Sequence, residues 1–274
     1  PGEAVLGAVS LLYVFAATAF LAKIARRPGV LFEELRILPG RAGVAAASLC
    51  ILLLAGAVVP HAPGLALGLL YAGVAVHVAL AITLARLFLT GPEEVRTVNP
   101  AWHLHFVGLI LTFFAGVPLG QTGLVWASVV VSIPAALLIL TASAVQFARR
   151  IPPAPLRPLM AIHLAPPSLI GLAFVALGHP VPGLICACMS AVVLVVLLGS
   201  ARWLTAAGFS ALWGAFTFPM ANAAGIFLMQ GGVWVWAGAA VLVAAAMVIP
   251  AIAFKVLQLW ARGTLAAKTN AATA

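Results

Sequence analysis

The sequence predicts an all-α integral membrane protein, and three observations carry the prediction. Of the 274 residues 7% are charged and 65% are hydrophobic, whereas a soluble domain carries roughly 25% charge. The mean hydropathy is +1.21, and apolar residues at that density outrun what one water-soluble core can hide. The charges gather in short clusters between long apolar runs, and about 20 apolar residues in helical form cross a bilayer. A water-soluble globule is excluded.

Nine spans are predicted, near residues 4–24, 42–59, 64–89, 101–119, 123–147, 159–177, 182–202, 207–229 and 233–258. Charge, Pro and Gly punctuate them. The first ends among Lys23, Arg26 and Arg27. The next two meet at Pro60-His61-Ala62-Pro63, and Arg86 and Arg96 flank the end of the pair. Asn99-Pro100 opens the fourth, which turns into the fifth at Gly120-Gln121-Thr122 and runs on to Arg149-Arg150. Gly178-His179-Pro180 joins the sixth and seventh, and Gln230-Gly231-Gly232 joins the last two.

All 14 Lys and Arg fall in alternate gaps or at the span ends beside them. By the positive-inside rule those gaps and the C-terminus are cytoplasmic, so the net charge of +9 reads as a membrane orientation signal and not as nucleic-acid binding. Residues 1–274 read as a single multi-pass transmembrane domain whose tail, about 262–274, is flexible. A cytoplasmic C-terminus after nine spans places residue 1 outside with no export signal before it, which predicts a fragment lacking one N-terminal helix or a mature chain trimmed there.

Tight turns pair eight of the spans into four hairpins, and 4–24 becomes the second arm of a fifth. The first arms carry the helix breakers: Gly108 and Gly116, Pro166-Pro167, then Gly214, Pro219 and Gly225. Breakers inside a span are tolerated where the helix is packed in protein or lines a cavity. The second arms are rich in Leu, Val and Ala, as in 191–199, although Pro134 and Pro250 blur the contrast. The expected architecture is a ring of kinked inner helices inside straight, lipid-facing ones.

Such an interior has no acid to relay protons or bind cations. The chain has no Asp, and Glu3, Glu33, Glu34, Glu93 and Glu94 all read as terminal or loop residues. A conduit with small and aromatic walls and cationic mouths on one side suits an anion or a small neutral solute. Haem or metal ligation by His77, His103, His105 and His163 is the rival reading. His103 and His105 are two apart and point to different faces, which removes the simplest ligand pair. The histidines read as hydrogen-bonded membrane residues, with His105 and His163 as candidates for a pore mouth. No metal or other cofactor is expected. Cys50, Cys186 and Cys188 read as small apolar packers, and no catalytic motif is present, so an enzyme is not expected.

The segment Leu212 to Ala221 puts Phe216 and Phe218 on different faces just before Pro219. A Phe projecting into a narrow apolar conduit closes it by sterics and dewetting. Both rings packing between helices is the plainer alternative.

The run Trp213-Gly214-Ala215-Phe216-Thr217-Phe218-Pro219-Met220-Ala221 resembles the tellurite-resistance/dicarboxylate transporter family, relatives of the plant slow anion channels. So do Leu156 to Pro167, Asn99-Pro100 with Phe106-Val107-Gly108, and Phe32-Glu33-Glu34-Leu35-Arg36. The resemblance implies ten helices in five hairpins around a central pore in each protomer, a homotrimer in a bacterial inner membrane, and an anion channel or channel-like exporter. It implies a pore gate at Phe218, with Phe216 the second choice. Pro166 and Pro167 then match a kink and Gly108 a close-approach position, while Gly214 and Pro219 remain kinks read from the residues alone, Pro219 being a departure from the family pattern. Small inorganic or organic anions and the lipid bilayer are the expected partners. A coupled exporter of C4-dicarboxylate, sulfite or tellurite-like oxyanions is the alternative function.

Overall fold

Helices form the whole of the secondary structure among residues 2–92 and 96–269, the residues that the computed structural model describes. Glu93 and Glu94 of the sequence reading, and residues 270–274 of the expected tail, lie outside them. The helices are α1 (Gly2–Arg26), α2 (Val30–Arg36), α3 (Leu38–Val58), α4 (Pro63–Thr90), α5 (Trp102–Phe106), α6 (Phe113–Gly116) and α7 (Thr122–Arg149). Then come α8 (Ala165–Ala176), α9 (Pro180–Gly199), α10 (Ala201–Leu204), α11 (Thr217–Gln230), α12 (Trp234–Ala261) and α13 (Leu265–Thr269). Three 3-10 segments complete the inner arms: Gly108–Thr112, Ala154–Leu164 and Ala211–Phe216.

Eight helical stretches are long and apolar enough to cross a membrane. The ninth expected span, 101–119, is instead three short pieces, α5, the 3-10 turn Gly108–Thr112 and α6. A hydrogen bond explains the break. The Val107 carbonyl accepts from Ser132 Oγ at 3.2 Å and from the Ile110 N–H at 3.1 Å, so it is diverted from the bond that a continuous α-helix would make one residue further on. The fold class stands, with one inner arm segmented.

The inner arms are more buried than the outer ones, but by a wide margin only in one: Leu38–Val58 and Ala211–Gln230 have 33% of their most apolar window buried, against 28% in Pro63–Thr90 and Thr122–Arg149. In Ala154–Ala176, 78% of the most apolar window is buried, against 22% in Pro180–Gly199 and 11% in Trp234–Ala261. Leu and Val residues of the outer arms, such as Val192, Val195 and Leu198, are exposed as lipid-facing side chains are. Pro134 and Pro250 sit within α7 and α12 without ending either helix.

Three of the hairpins carry a buried polar contact between their arms. Ser48 bonds His77 Nδ1 at 2.8 Å, Thr112 donates to Ser128 at 3.0 Å, and the Ser168 and Ser190 hydroxyls meet at 3.1 Å. In hydrocarbon such side chains hold helices together because leaving them unpaired is costly. No residue of α1 is buried, and this helix is tied in by Tyr13, whose hydroxyl donates to the Ala47 carbonyl of α3 at 2.9 Å. Its Phe15 meets Trp260 of α12 edge-on, with ring centroids 6.0 Å apart.

Candidate functional site

The inner arms enclose a cavity of about 590 Å³. Its walls come from four inner arms: Pro39 to Leu53 of α3, His103 to Leu111, Leu159 to Leu169, and Ala211 to Pro219. Phe20 of α1, Glu34 of α2, Val256 of α12, and Leu265 and Thr269 of α13 complete it. By the up-and-down order of the hairpins these segments share the end where the basic clusters lie. Toward the other end the inner arms close on one another: Phe113, Ala173, Ile226 and Phe227 are all buried in the core. The lining residues lie mostly toward the basic end of the inner arms, so the cavity is a vestibule of that end.

Phe218 stands at the boundary. Its ring lines the cavity and packs against the main core cluster. Phe216 does not line the cavity and instead meets Trp213 edge-on at 5.8 Å. Local sequence explains the difference. The chain turns at Gly208 (φ +76°) and winds as a tight 3-10 segment over Ala211–Phe216. It becomes α-helical at Thr217, whose hydroxyl donates to the Gly214 carbonyl at 2.8 Å. Phe218 thus falls in the first turn of α11.

Pro219 is also in that first turn, and Pro166 and Pro167 occupy the first turn of α8, where a missing N–H costs nothing. These prolines mark a change from 3-10 to α geometry, where the sequence suggested kinks inside continuous helices. Pro166 and Pro219 line the cavity, and Pro167 does not.

Gly108 is a close approach: a Cβ there would lie 2.6 Å from Leu49 Cδ2 and 3.0 Å from His77 Nε2. Gly214 is not one. It lines the cavity, and a Cβ there would meet open space.

The histidines divide between two sites. His103 lines the cavity, and its Nε2 lies 3.0 Å from His163 Nδ1, while His163 Nε2 bonds Ser143 Oγ at 3.0 Å. His105 is buried beside Phe88 and Phe106 and is absent from the cavity wall, as is His163. The wall histidine is thus the neighbour on the opposite face from His105. Among the described residues no group of three or more His, Cys, Asp or Glu could hold a metal ion. Cys50 lines the cavity, and Cys186 and Cys188 lie on α9, away from it.

Sequence reasoning missed Glu34. The sequence reads it as a terminal or loop acid, yet it is 6% exposed, lines the cavity and pairs with Lys23 at 2.9 Å. The signal was present in the apolar Val30, Leu31 and Leu35 around it. That spacing folds 30–36 into a short helix, with Val30, Glu34 and Leu35 buried.

The rest of the wall is almost wholly apolar, and no Lys or Arg among the described residues lines it. Arg157 lies over the Trp203 ring at 4.5 Å, and Lys255 over Phe209 at 5.0 Å. Stacking of this kind shields apolar ring surface.

A family model described as voltage-dependent anion channel, SLAC1, matches residues 1–261. No curated protein matches the chain.

Proposed function

We propose, from the premise that the chain belongs to the SLAC1 family of voltage-dependent anion channels, that it passes small inorganic or organic anions through the vestibule and past Phe218. The observation that supports this most directly is the position of Phe218, on the cavity wall and against the core that closes the far half. The basic end raises the local anion concentration. The apolar wall offers weak contacts that permit release, so selectivity follows dehydration cost, with chloride and nitrate ahead of strongly hydrated ions. Opening is a rotation of the Phe218 ring or a shift of the first turn of α11, with no covalent chemistry. Under the positive-inside rule the vestibule faces the cytoplasm of a bacterial inner membrane. Each protomer of a homotrimer would carry its own pathway.

The test is ionic current in planar bilayers under chloride and nitrate gradients, comparing Phe218→Ala with the parent chain. The expected result is a larger current in the variant, reversing near the anion equilibrium potential. Equal currents in the two proteins would leave Phe218 as a packing residue.

A cavity that lies toward the basic end favours a second reading, a coupled exporter of C4-dicarboxylate, sulfite or tellurite-like oxyanions. A vestibule of about 590 Å³ that ends in packed core is large enough to hold an organic dianion in an inward-facing state. Uptake that saturates and depends on a pH gradient, without current in either protein, would select it.

A further inference from the structure

We propose that the Lys23–Glu34 pair keeps the vestibule from discriminating anions by valence, Lys23 offsetting the carboxylate that Glu34 places on its wall. The inference rests on the anion-permeation reading above.

Glu34 is the one acid that lines the cavity among the described residues. Glu3 stands at the exposed start of α1, and Glu33 pairs with Arg27 at the surface with about half its side chain exposed. The Glu34 side chain is 8% exposed, and its Oε1 accepts from Lys23 Nζ at 2.9 Å.

The fold fixes the carboxylate there. The Glu34 carbonyl accepts the Ile37 N–H at 3.3 Å, which turns α2 into α3. Gly40 then passes so close that a Cβ on it would lie 2.3 Å from the Glu34 carbonyl oxygen and 2.6 Å from Oε2. Only glycine allows that approach, so the acid is wedged between α2 and the first turn of α3. Lys23, on the last turn of α1 and 24% exposed, is the looser partner.

An apolar vestibule screens charge poorly, so an anion inside it feels both members of the pair. Their opposite signs largely cancel for a monovalent anion. Neutralising one member removes its charge from that balance, and the resulting change in interaction energy scales with the charge of the ion. A change that multiplies chloride flux by some factor therefore multiplies the flux of a dianion by about the square of that factor.

The test is flux through the full chain in liposomes, with chloride and sulfate measured on the same preparation. Glu34→Gln is expected to raise chloride flux about threefold and sulfate flux about tenfold. Lys23→Gln is expected to lower them by similar factors, and the double variant to restore the parent's chloride-to-sulfate ratio. Glu33→Gln, at the surface pair, should leave the ratio unchanged. The ratio is the informative quantity, because misfolding lowers both fluxes together without the squared relation. An unchanged ratio in both single variants overturns the proposal even though anion flux persists. Absence of flux in the parent and in Phe218→Ala overturns the permeation reading instead. If Glu34→Gln yields too little protein, Lys23→Gln decides the matter with the opposite sign.

Discussion

Phe216 and Phe218 are two residues apart and differ in what their removal exposes. Truncating Phe218 takes a ring from the cavity wall, whereas truncating Phe216 takes one from its edge contact with Trp213. Phe216→Ala is therefore expected to lower stability by about 1 kcal/mol with anion flux per folded protein unchanged. Thermal unfolding in detergent and liposome flux measure the two sides, and a flux increase confined to Phe216→Ala would move the gate. Gly108 gives a sharper prediction. A methyl group 2.6 Å from Leu49 Cδ2 must push a wall residue of the vestibule aside, at a cost of about 1–3 kcal/mol. Gly108→Ala should show that loss in its unfolding midpoint, and Gly214→Ala, which meets open space, should not.

Elements were legible where composition alone decides them, and less so where hydrogen bonding does. Lipid-facing arms such as 182–202 are uniform apolar runs, and the structure places them on the outside. The break in 101–119 depends on Ser132 of a neighbouring helix bonding the Val107 carbonyl, which no local pattern in 101–119 reveals. Helix rotation was hidden as well. Two residues apart, His103 and His105 had to face different sides, but only the packed Phe88, Trp102 and Phe106 rings settle that His105 is the one turned away from the cavity. The hydroxyl contacts between arms test how the hairpins hold. For Ser168 and Ser190 a double-mutant cycle to Ala should return a coupling of about 0.6 kcal/mol, the typical worth of such a bond within a membrane. Additivity would show that packing alone holds α8 to α9.

At the scale of the whole molecule the vestibule lies toward the basic end and packed core toward the other, and one native cysteine reports on that asymmetry. Cys50 lies on the cavity wall, whereas Cys186 and Cys188 lie on an outer helix. In a chain with Cys186→Ala and Cys188→Ala, a membrane-impermeant anionic methanethiosulfonate should modify Cys50 from the basic end and leave it untouched from the opposite end. Combining this with Phe218→Ala separates a gate from a wall residue. If the ring at the inner limit is what divides the two compartments, its removal admits the reagent from the opposite end as well. Modification that stays one-sided in the Phe218→Ala chain would place the barrier deeper, among Phe113, Ile226 and Phe227, which fill the far half of the inner ring. Modification from both ends in the parent would mean that the packed half opens unaided, and the vestibule of the basic end would then be a single state of a pathway that alternates.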